Sequence, residues 1–167
     1  MAWTVRPFRD ADFPAVWALE RVRDVEGYAS AVTIRQAAAL WPATLLVADE
    51  DGTAVGFTIG AASSDPAAGW ILRLKVREDR HRQGCATSLL RAVLERLSAE
   101  GVRTVRLTVA PENRPARSLY AGFGFLEEAV LPEYFGPGED RLLLCRRIDP
   151  AALASAGGME GPGRSGE

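Results

Sequence analysis

Three groups of residues in this sequence are equipped for chemistry. Between positions 73 and 82 five basic side chains (Arg73, Lys75, Arg77, Arg80, Arg82) stand against two acidic ones (Glu78, Asp79), in a chain of formal net charge −2. That run leads into Arg82-Gln83-Gly84-Cys85-Ala86-Thr87, where a helical pattern begins. The first turn of a helix has unpaired backbone N–H groups and a partial positive charge, so a glycine there lets a pyrophosphate come close to the backbone. A solvated basic loop ahead of an amphipathic helix would look the same. The second group is Asn113 and Tyr120 in one short run. A phenol donates a hydrogen bond or a proton to a leaving group as charge develops on it, and it can equally be an aromatic packed beside Phe123 and Phe125. The third group, Glu26 with Tyr28 and Glu133 with Tyr134, lies between predicted elements, where such side chains bind a ligand or are plain surface.

Other chemistries are excluded by counting. His81 is the one histidine and Cys85 and Cys145 the only cysteines, too few for a clustered zinc site or a disulfide framework. Cys85 at a helix start invites a nucleophile reading, because that location lowers a thiol pKa, but its position in the loop suits a small packing residue.

The hydrophobic spacing predicts the elements that carry these groups. Residues 2–9 alternate as a strand. Asp10 or Asp12 caps a helix with Pro14 in its first turn and Phe13, Val16, Trp17, Leu19 and Glu20 at helical spacing. A second helix is predicted over residues 33–41, a hairpin over 44–48 and 54–59, and a longer strand over 70–76. Gly84 opens a helix with Leu89, Leu90, Val93, Leu94 and Leu97 on one face, stopped by Gly101. A strand over 102–110, a short helix capped by Asn113, and strands over 123–131 and 140–147 follow. Residues 151–167, rich in Gly, Ala and Ser, read as a flexible tail after a folded domain over residues 1–150. The order is that of an α/β fold around a mixed sheet.

A length of 167 residues fits one domain, and 47% apolar with 25% charged residues excludes disorder over most of it. No apolar run approaches the roughly 20 residues of a membrane-spanning helix. The N-terminus has no basic stretch followed by an apolar one, and the net charge argues against a bulk-charge nucleic-acid binder. A cytoplasmic protein with neither membrane nor nucleic-acid partner is expected.

Four features then meet at fixed spacing: the strand ending Leu74-Lys75-Val76, the loop around Gly84, the strand Leu107-Thr108-Val109, and the run Asn113-x-x-Ala116-x-x-x-Tyr120-x-Gly122-Phe123-Gly124-Phe125. In these the chain resembles the GCN5-related N-acetyltransferase (GNAT) family over residues 3–148, and in its C-terminal half it is similar to the ribosomal-protein alanine acetyltransferases. The resemblance implies the acyl-CoA N-acyltransferase fold, a mixed, mostly antiparallel sheet of about seven strands flanked by about four helices. It implies that the backbone around Leu74, Lys75 and Val76 pairs with the pantetheine arm of acetyl-CoA. The loop His81, Arg82, Gln83, Gly84, Cys85, Ala86 and Thr87 would hold the pyrophosphate, with further contacts from Asn113, Ala116, Arg117 and Tyr120. Tyr120 would be the catalytic acid, and no metal is implied. The implied reaction is direct transfer of acetyl to a primary amine of a protein, peptide or small molecule, releasing coenzyme A.

The sequence departs from the family pattern in three places. His81 stands where Gln or Arg is usual, Ala86 where a second glycine is usual, and Thr108 where similar members place a glutamate base. Without that carboxylate the deprotonation of the acceptor falls to Glu26, Tyr28, Glu133 or Tyr134 on the acceptor side, or to the acceptor itself. The same departures keep open a catalytically weak acyl-CoA-binding or regulatory module, and a homodimer is left open. A dinucleotide-binding oxidoreductase is excluded, since no Gly-x-Gly-x-x-Gly follows the first strand.

Overall fold

Apolar residues on both faces of consecutive strands demand cover on both sides of a sheet, and that is what forms. A computed structural model describes residues 3–20 and 27–156. Its strands are β1 (Trp3–Pro7), β2 (Leu45–Glu50), β3 (Thr53–Ala62), β4 (Ala68–Val76), β5 (Thr104–Val109), β6 (Leu126–Leu131) and β7 (Arg141–Arg147). Its helices are α1 (Phe13–Glu20), α2 (Tyr28–Leu40), α3 (Cys85–Ala99), α4 (Arg114–Gly122) and α5 (Pro150–Ala156). All seven strands form one sheet in the order β1-β2-β3-β4-β5-β7-β6. Every neighbouring pair is antiparallel except β4–β5.

On one face α3 buries Leu89, Leu90, Val93, Leu94 and Leu97 against Leu46, Val55, Ile71 and Val105, and α4 adds Tyr120 to the same core. On the other, Val16 of α1 with Ile34 and Ala37 of α2 covers Leu45, Val47, Phe57 and Ile59. Gly60 decides how closely α3 sits: a Cβ there would lie 2.5 Å from Val93 Cγ2. At the β1 end, Arg6 spans two carboxylates. Its Nη1 and Nη2 donate to Asp12 at 2.7 and 2.8 Å and its Nε to Asp49 at 2.7 Å, joining β1, the turn before α1 and β2.

Two expectations are corrected. Helix α2 begins at Tyr28, five residues before the predicted 33, because Gly27 (φ 69°) turns the chain there and its carbonyl accepts from Trp17 Nε1 at 2.9 Å. The predicted tail is helical over its first residues. Asp149 Oδ1 accepts from the Ala151 N–H at 3.0 Å, Pro150 takes the first helical position, and Leu153 packs on the α3 core. There are thus five helices among the described residues, in keeping with the about four expected plus α5; residues 157–167 lie outside the description.

The feature that matters for function is a parting of the sheet. Strands β4 and β5 pair only at Ala68↔Thr104, Gly69↔Val105 and Trp70↔Arg106. Beyond Trp70 they separate, β4 running on to Val76 and β5 to Val109.

Candidate active site

The wall of this gap is backbone. Across β3–β4, Gly56 pairs with Val76 and Thr58 with Leu74, while the Arg77 N–H donates to the Val55 carbonyl at 2.7 Å. Hydrogen-bonded and non-hydrogen-bonded pairs alternate along an antiparallel ladder, so the N–H and C=O of Leu74 and Val76 turn away from β3 and into the gap. Their side chains join Cys85, Ala116 and Tyr120 in one cluster. The sequence-predicted β4 residues, loop start and tyrosine are therefore brought together, and an extended amide chain can add itself to β4 where β5 has left it.

At one end of the gap stands the start of α3. Gly84, at φ 84°, is its N-cap without a side-chain capping bond, so the first-turn N–H groups of Cys85, Ala86 and Thr87 face outward. A Cβ built on Gly84 meets nothing within 4 Å, so the surface over this turn is open. A pyrophosphate fits this loop and a pantetheine arm fits the gap. Arg82 and Gln83 are exposed on the same loop, and Gln83 Nε2 donates to the Asp79 carbonyl at 3.2 Å. His81 Nε2 lies 2.9 Å from the Val76 carbonyl. A carbonyl only accepts, so the ring carries its proton on Nε2 and fastens the loop to the end of β4. His81 is a brace here.

The basic patch read from the sequence is not one patch. Arg73 and Lys75 pair across the sheet with Ile59 and Phe57, under α1 and α2, on the face opposite α3. Arg73 is bound to Glu20, and Lys75 Nζ donates to the Leu19 carbonyl at 3.4 Å. Arg77 and Arg80 are engaged by Asp79 and Glu50. Arg82 makes no ion pair among the described residues, so the local excess of charge that the chain order suggests is largely spent on internal pairs. Cys85 is buried, and burial pushes its thiol up to about 11; it is a packing residue and not a nucleophile.

Helix α4 supplies the other side. The Asn113 carboxamide accepts from the Ala116 N–H at 3.3 Å as the N-cap. Tyr120 is 8% exposed and packs edge-on against Phe125, with ring centroids 5.7 Å apart. Burial drives its phenol up to about 12, partly opposed by the positive charge of Arg73. Arg117 turns elsewhere: its guanidinium donates to the Pro111 carbonyl and to Glu127, 2.9 and 3.1 Å away. It borders a separate cavity of about 400 Å³ between the outer side of α4 and strands β6 and β7.

The acceptor-side residues are dispersed. Thr108 is half-buried on β5 opposite Leu143. Tyr28, at the start of α2, is exposed, and Glu26 lies outside the described residues. Glu133 and Tyr134 are exposed in the β6–β7 loop, where Tyr134 leans on Phe135 at 5.0 Å. Phe135, exposed and with Arg141 over its ring, was not singled out by sequence reasoning; its adjacency to Tyr134 was the available signal. Also missed was Arg73 with Glu20, fifty-three residues apart, for which no local signal exists. A carboxylate near β5 does occur, Glu128, but two hydrogen bonds from Arg106 hold it below the usual carboxylate range, which makes it a poor base.

The model of the Acetyltransferase (GNAT) family matches residues 3–125. The chain belongs to this family. As a GNAT protein it is an acetyl-CoA-dependent N-acetyltransferase, with the mostly antiparallel seven-stranded sheet that its sequence led us to expect. It is 28% identical over 144 residues to an uncharacterised N-acetyltransferase of Methanocaldococcus jannaschii, covering 86% of this chain and 90% of that one. It is 30% identical over 115 residues to an N-alpha-acetyltransferase of Sulfurisphaera tokodaii, covering 62% and 69%. Among solved structures, Ard1 from Thermoplasma volcanium superposes with a TM-score of 0.81 at 27% identity, covering 89% of this GNAT chain and 99% of that one. No helix of the described residues is long and apolar enough to cross a membrane.

Proposed function

We propose that this acetyltransferase acts in the cytoplasm on the α-amine of a peptide or protein N-terminus, using the β4–β5 gap as the cofactor channel and Tyr120 as the group that meets the departing sulfur. The observation that carries the reading is the convergence on one gap of the outward amides of Leu74 and Val76, the open turn at Gly84 and the buried Tyr120. Acetyl-CoA supplies the activated acyl group, whose carbon an amine attacks and whose sulfur leaves. Leu74 and Val76 would hold the arm that carries it, and the Gly84 turn and Asn113 its polar end.

The role of Tyr120 is narrowed by magnitude. A phenol near 12 is about 3.5 units above a free thiol, so complete transfer of its proton to a thiolate is uphill by about 5 kcal/mol. Tyr120 therefore acts as a hydrogen-bond donor to developing charge, a role worth about 10² to 10³ in rate. An α-amine, with a pKa of about 7.7 to 8.0, is neutral at the level of roughly a tenth at pH 7, whereas a lysine near 10.4 must spend about 4.6 kcal/mol to lose its proton. With threonine at position 108 the α-amine is the easier acceptor. Two aromatic side chains, Tyr134 and Phe135, stand exposed on the β6–β7 loop beside this side of the sheet, where a chain end can lie against them. Several relatives carry the description N-alpha-acetyltransferase. Free-thiol release from acetyl-CoA across peptides with free and blocked N-termini, and across small amines, tests the reading. Turnover only with free N-termini is expected; turnover with lysine side chains of blocked peptides at equal rate would overturn it.

A further inference from the structure

One charged pair ties the end of α1 to β4 three residues past the point where β5 leaves it. Glu20 is the last residue of α1 and 8% exposed. A carboxylate there meets both the negative end of the helix and the cost of burial. It is held by Arg73 through two parallel hydrogen bonds, Nε to Oε1 at 2.9 Å and Nη2 to Oε2 at 2.8 Å. Such a pairing places the carboxylate on one edge of the guanidinium plane and leaves Nη1 at the opposite corner. The Arg73 side chain keeps 40% of its surface exposed, against 9% for Glu20. Arg73 lies three residues past Trp70, where β5 leaves β4, and its carbonyl is fixed by Thr58 Oγ1 at 2.8 Å. The cation thus stands at a set place beside the gap, its counter-ion behind it toward α1.

We propose that Arg73, clamped from behind by Glu20, is a positioning residue that keeps the incoming acceptor amine in its neutral, nucleophilic form by presenting a fixed positive charge beside it. The inference rests on the reading of the β4–β5 gap as the cofactor channel. A cation disfavours a second cation nearby, the means by which an amine is activated without a base, and Thr108 leaves this site without a carboxylate on β5. Among the described residues, Arg73 is flanked by Glu20 from α1, Lys75 two residues along β4 and Tyr120 from α4, and the neighbouring strand β5 carries Arg106 with its partner Glu128. The facing residues of β3, Thr58 and Ile59, carry no charge. The positive charge of Arg73 acts on the Tyr120 phenol, so the cation is within electrostatic reach of the gap.

The test compares wild type, Arg73→Gln, Arg73→Lys, Glu20→Gln and the double variant Glu20→Gln/Arg73→Gln. Glycinamide serves as acceptor, a small α-amine that needs no peptide recognition, so that failure of the peptide reading is separable. Two quantities are read: the pH dependence of kcat at saturating glycinamide, and the pKa of ¹³C-labelled glycinamide in fast exchange with the protein, followed by NMR. Removing the cation in Arg73→Gln is expected to raise the bound amine's pKa by about one unit. The rate at about pH 6.5 then falls about tenfold, and the curves converge at high pH where the amine is neutral anyway. Arg73→Lys restores most of this. Glu20→Gln, which strips the counter-ion, shifts the bound pKa the opposite way, downward. The double variant, in which neither partner is left as a lone buried charge, keeps the melting temperature near wild type and still shows the raised pKa. A bound pKa identical in wild type and in both variants with glutamine at position 73 would overturn the proposal. So would a loss of the same factor at every pH in both Arg73→Gln and Glu20→Gln, the mark of a purely structural bridge.

Discussion

The β1 end of the sheet and the β4–β5 gap use the same chemical parts to opposite ends. At β1, Arg6 spends all three of its nitrogens: Nε on Asp49, Nη1 on Asp12 and the Pro7 carbonyl, Nη2 on Asp12 and Asp49. Asp12 in turn accepts from the Arg9 N–H at 2.7 Å, and the side chains of Arg6 and Asp12 are 17% and 4% exposed. At the gap, Arg73 spends two nitrogens on one carboxylate, β4 turns the backbone groups of Leu74 and Val76 away from β3 with only the Val76 carbonyl engaged, by His81 Nε2, and the Tyr120 hydroxyl is bound to none of the described residues. Where every donor and acceptor is matched, polar groups hold elements together; where matched and unmatched groups stand side by side, the remainder is available to a ligand. The difference predicts that damage at β1 is read in stability and damage at the gap in rate.

The largest effect is expected from Asp12→Ala, which leaves the half-buried Arg6 charge with Asp49 as its one carboxylate and takes the acceptor from the Arg9 N–H. Breaking a buried pair from one side costs about 3 to 5 kcal/mol, read as a shift of the denaturation midpoint, while kcat of the folded fraction stays near wild type. A fall in kcat larger than the loss of folded protein would dissolve the distinction. Next comes Tyr120→Phe, which keeps the ring against Phe125 and deletes a hydroxyl that none of the described residues holds. Turnover should fall by about 10² or more with melting temperature and acetyl-CoA affinity scarcely moved; full activity would remove Tyr120 from the site. Gly60→Ala sharpens the comparison from the packing side. Its Cβ would press into Val93 at 2.5 Å, and overpacking of this kind costs about 1 to 3 kcal/mol. Equilibrium unfolding shows it, and an unchanged midpoint would mean that α3 lifts off the sheet freely.

The smallest effect is set by acid. Burial alone would raise the Asp12 carboxyl, but the hydrogen bonds from Arg6 and the Arg9 N–H outweigh it and hold the group below its ordinary value; the Arg6 hydrogen bond does the same for Asp49. A carboxylate depressed in the folded state contributes stability that is complete above its unfolded pKa, about 3.9, and disappears as pH falls through the folded value. The melting temperature should therefore be flat down to about pH 5 and drop below about pH 4. In Asp12→Asn that drop should be shallower; an equal drop would show that other carboxylates carry the acid sensitivity.

Local pattern was enough for most of the fold and for part of the site. The alternation of 44–48 and 54–59, the apolar face from Leu89 to Leu97 and the glycine stop at Gly101 each depend on neighbours within a few residues, so the chain order displays them directly. The Gly84 turn and the Asn113–Tyr120 run were legible for the same reason, since a helix start and one helix face are local objects. Helix α5 was hidden because composition outweighed a short Asp149-Pro150 start signal and one anchoring leucine. Three things had no trace in the linear order. The parting of β4 from β5 is visible only in three dimensions, where their pairing stops at Trp70 while β4 stays paired to β3 and β5 to β7. The dispersal of the basic run follows from alternation on β4, which sends Arg73 and Lys75 to the α1 face while Leu74 and Val76 join the α3 core. The Arg73–Glu20 pair joins residues that meet only when α1 is laid across the sheet. Sequence by itself determined which residues could do chemistry, because side-chain type and short-range spacing are written there. Which of their charges are already spent, and which are left exposed, the tertiary structure alone decided, because partners far apart in the chain compete for the same donors.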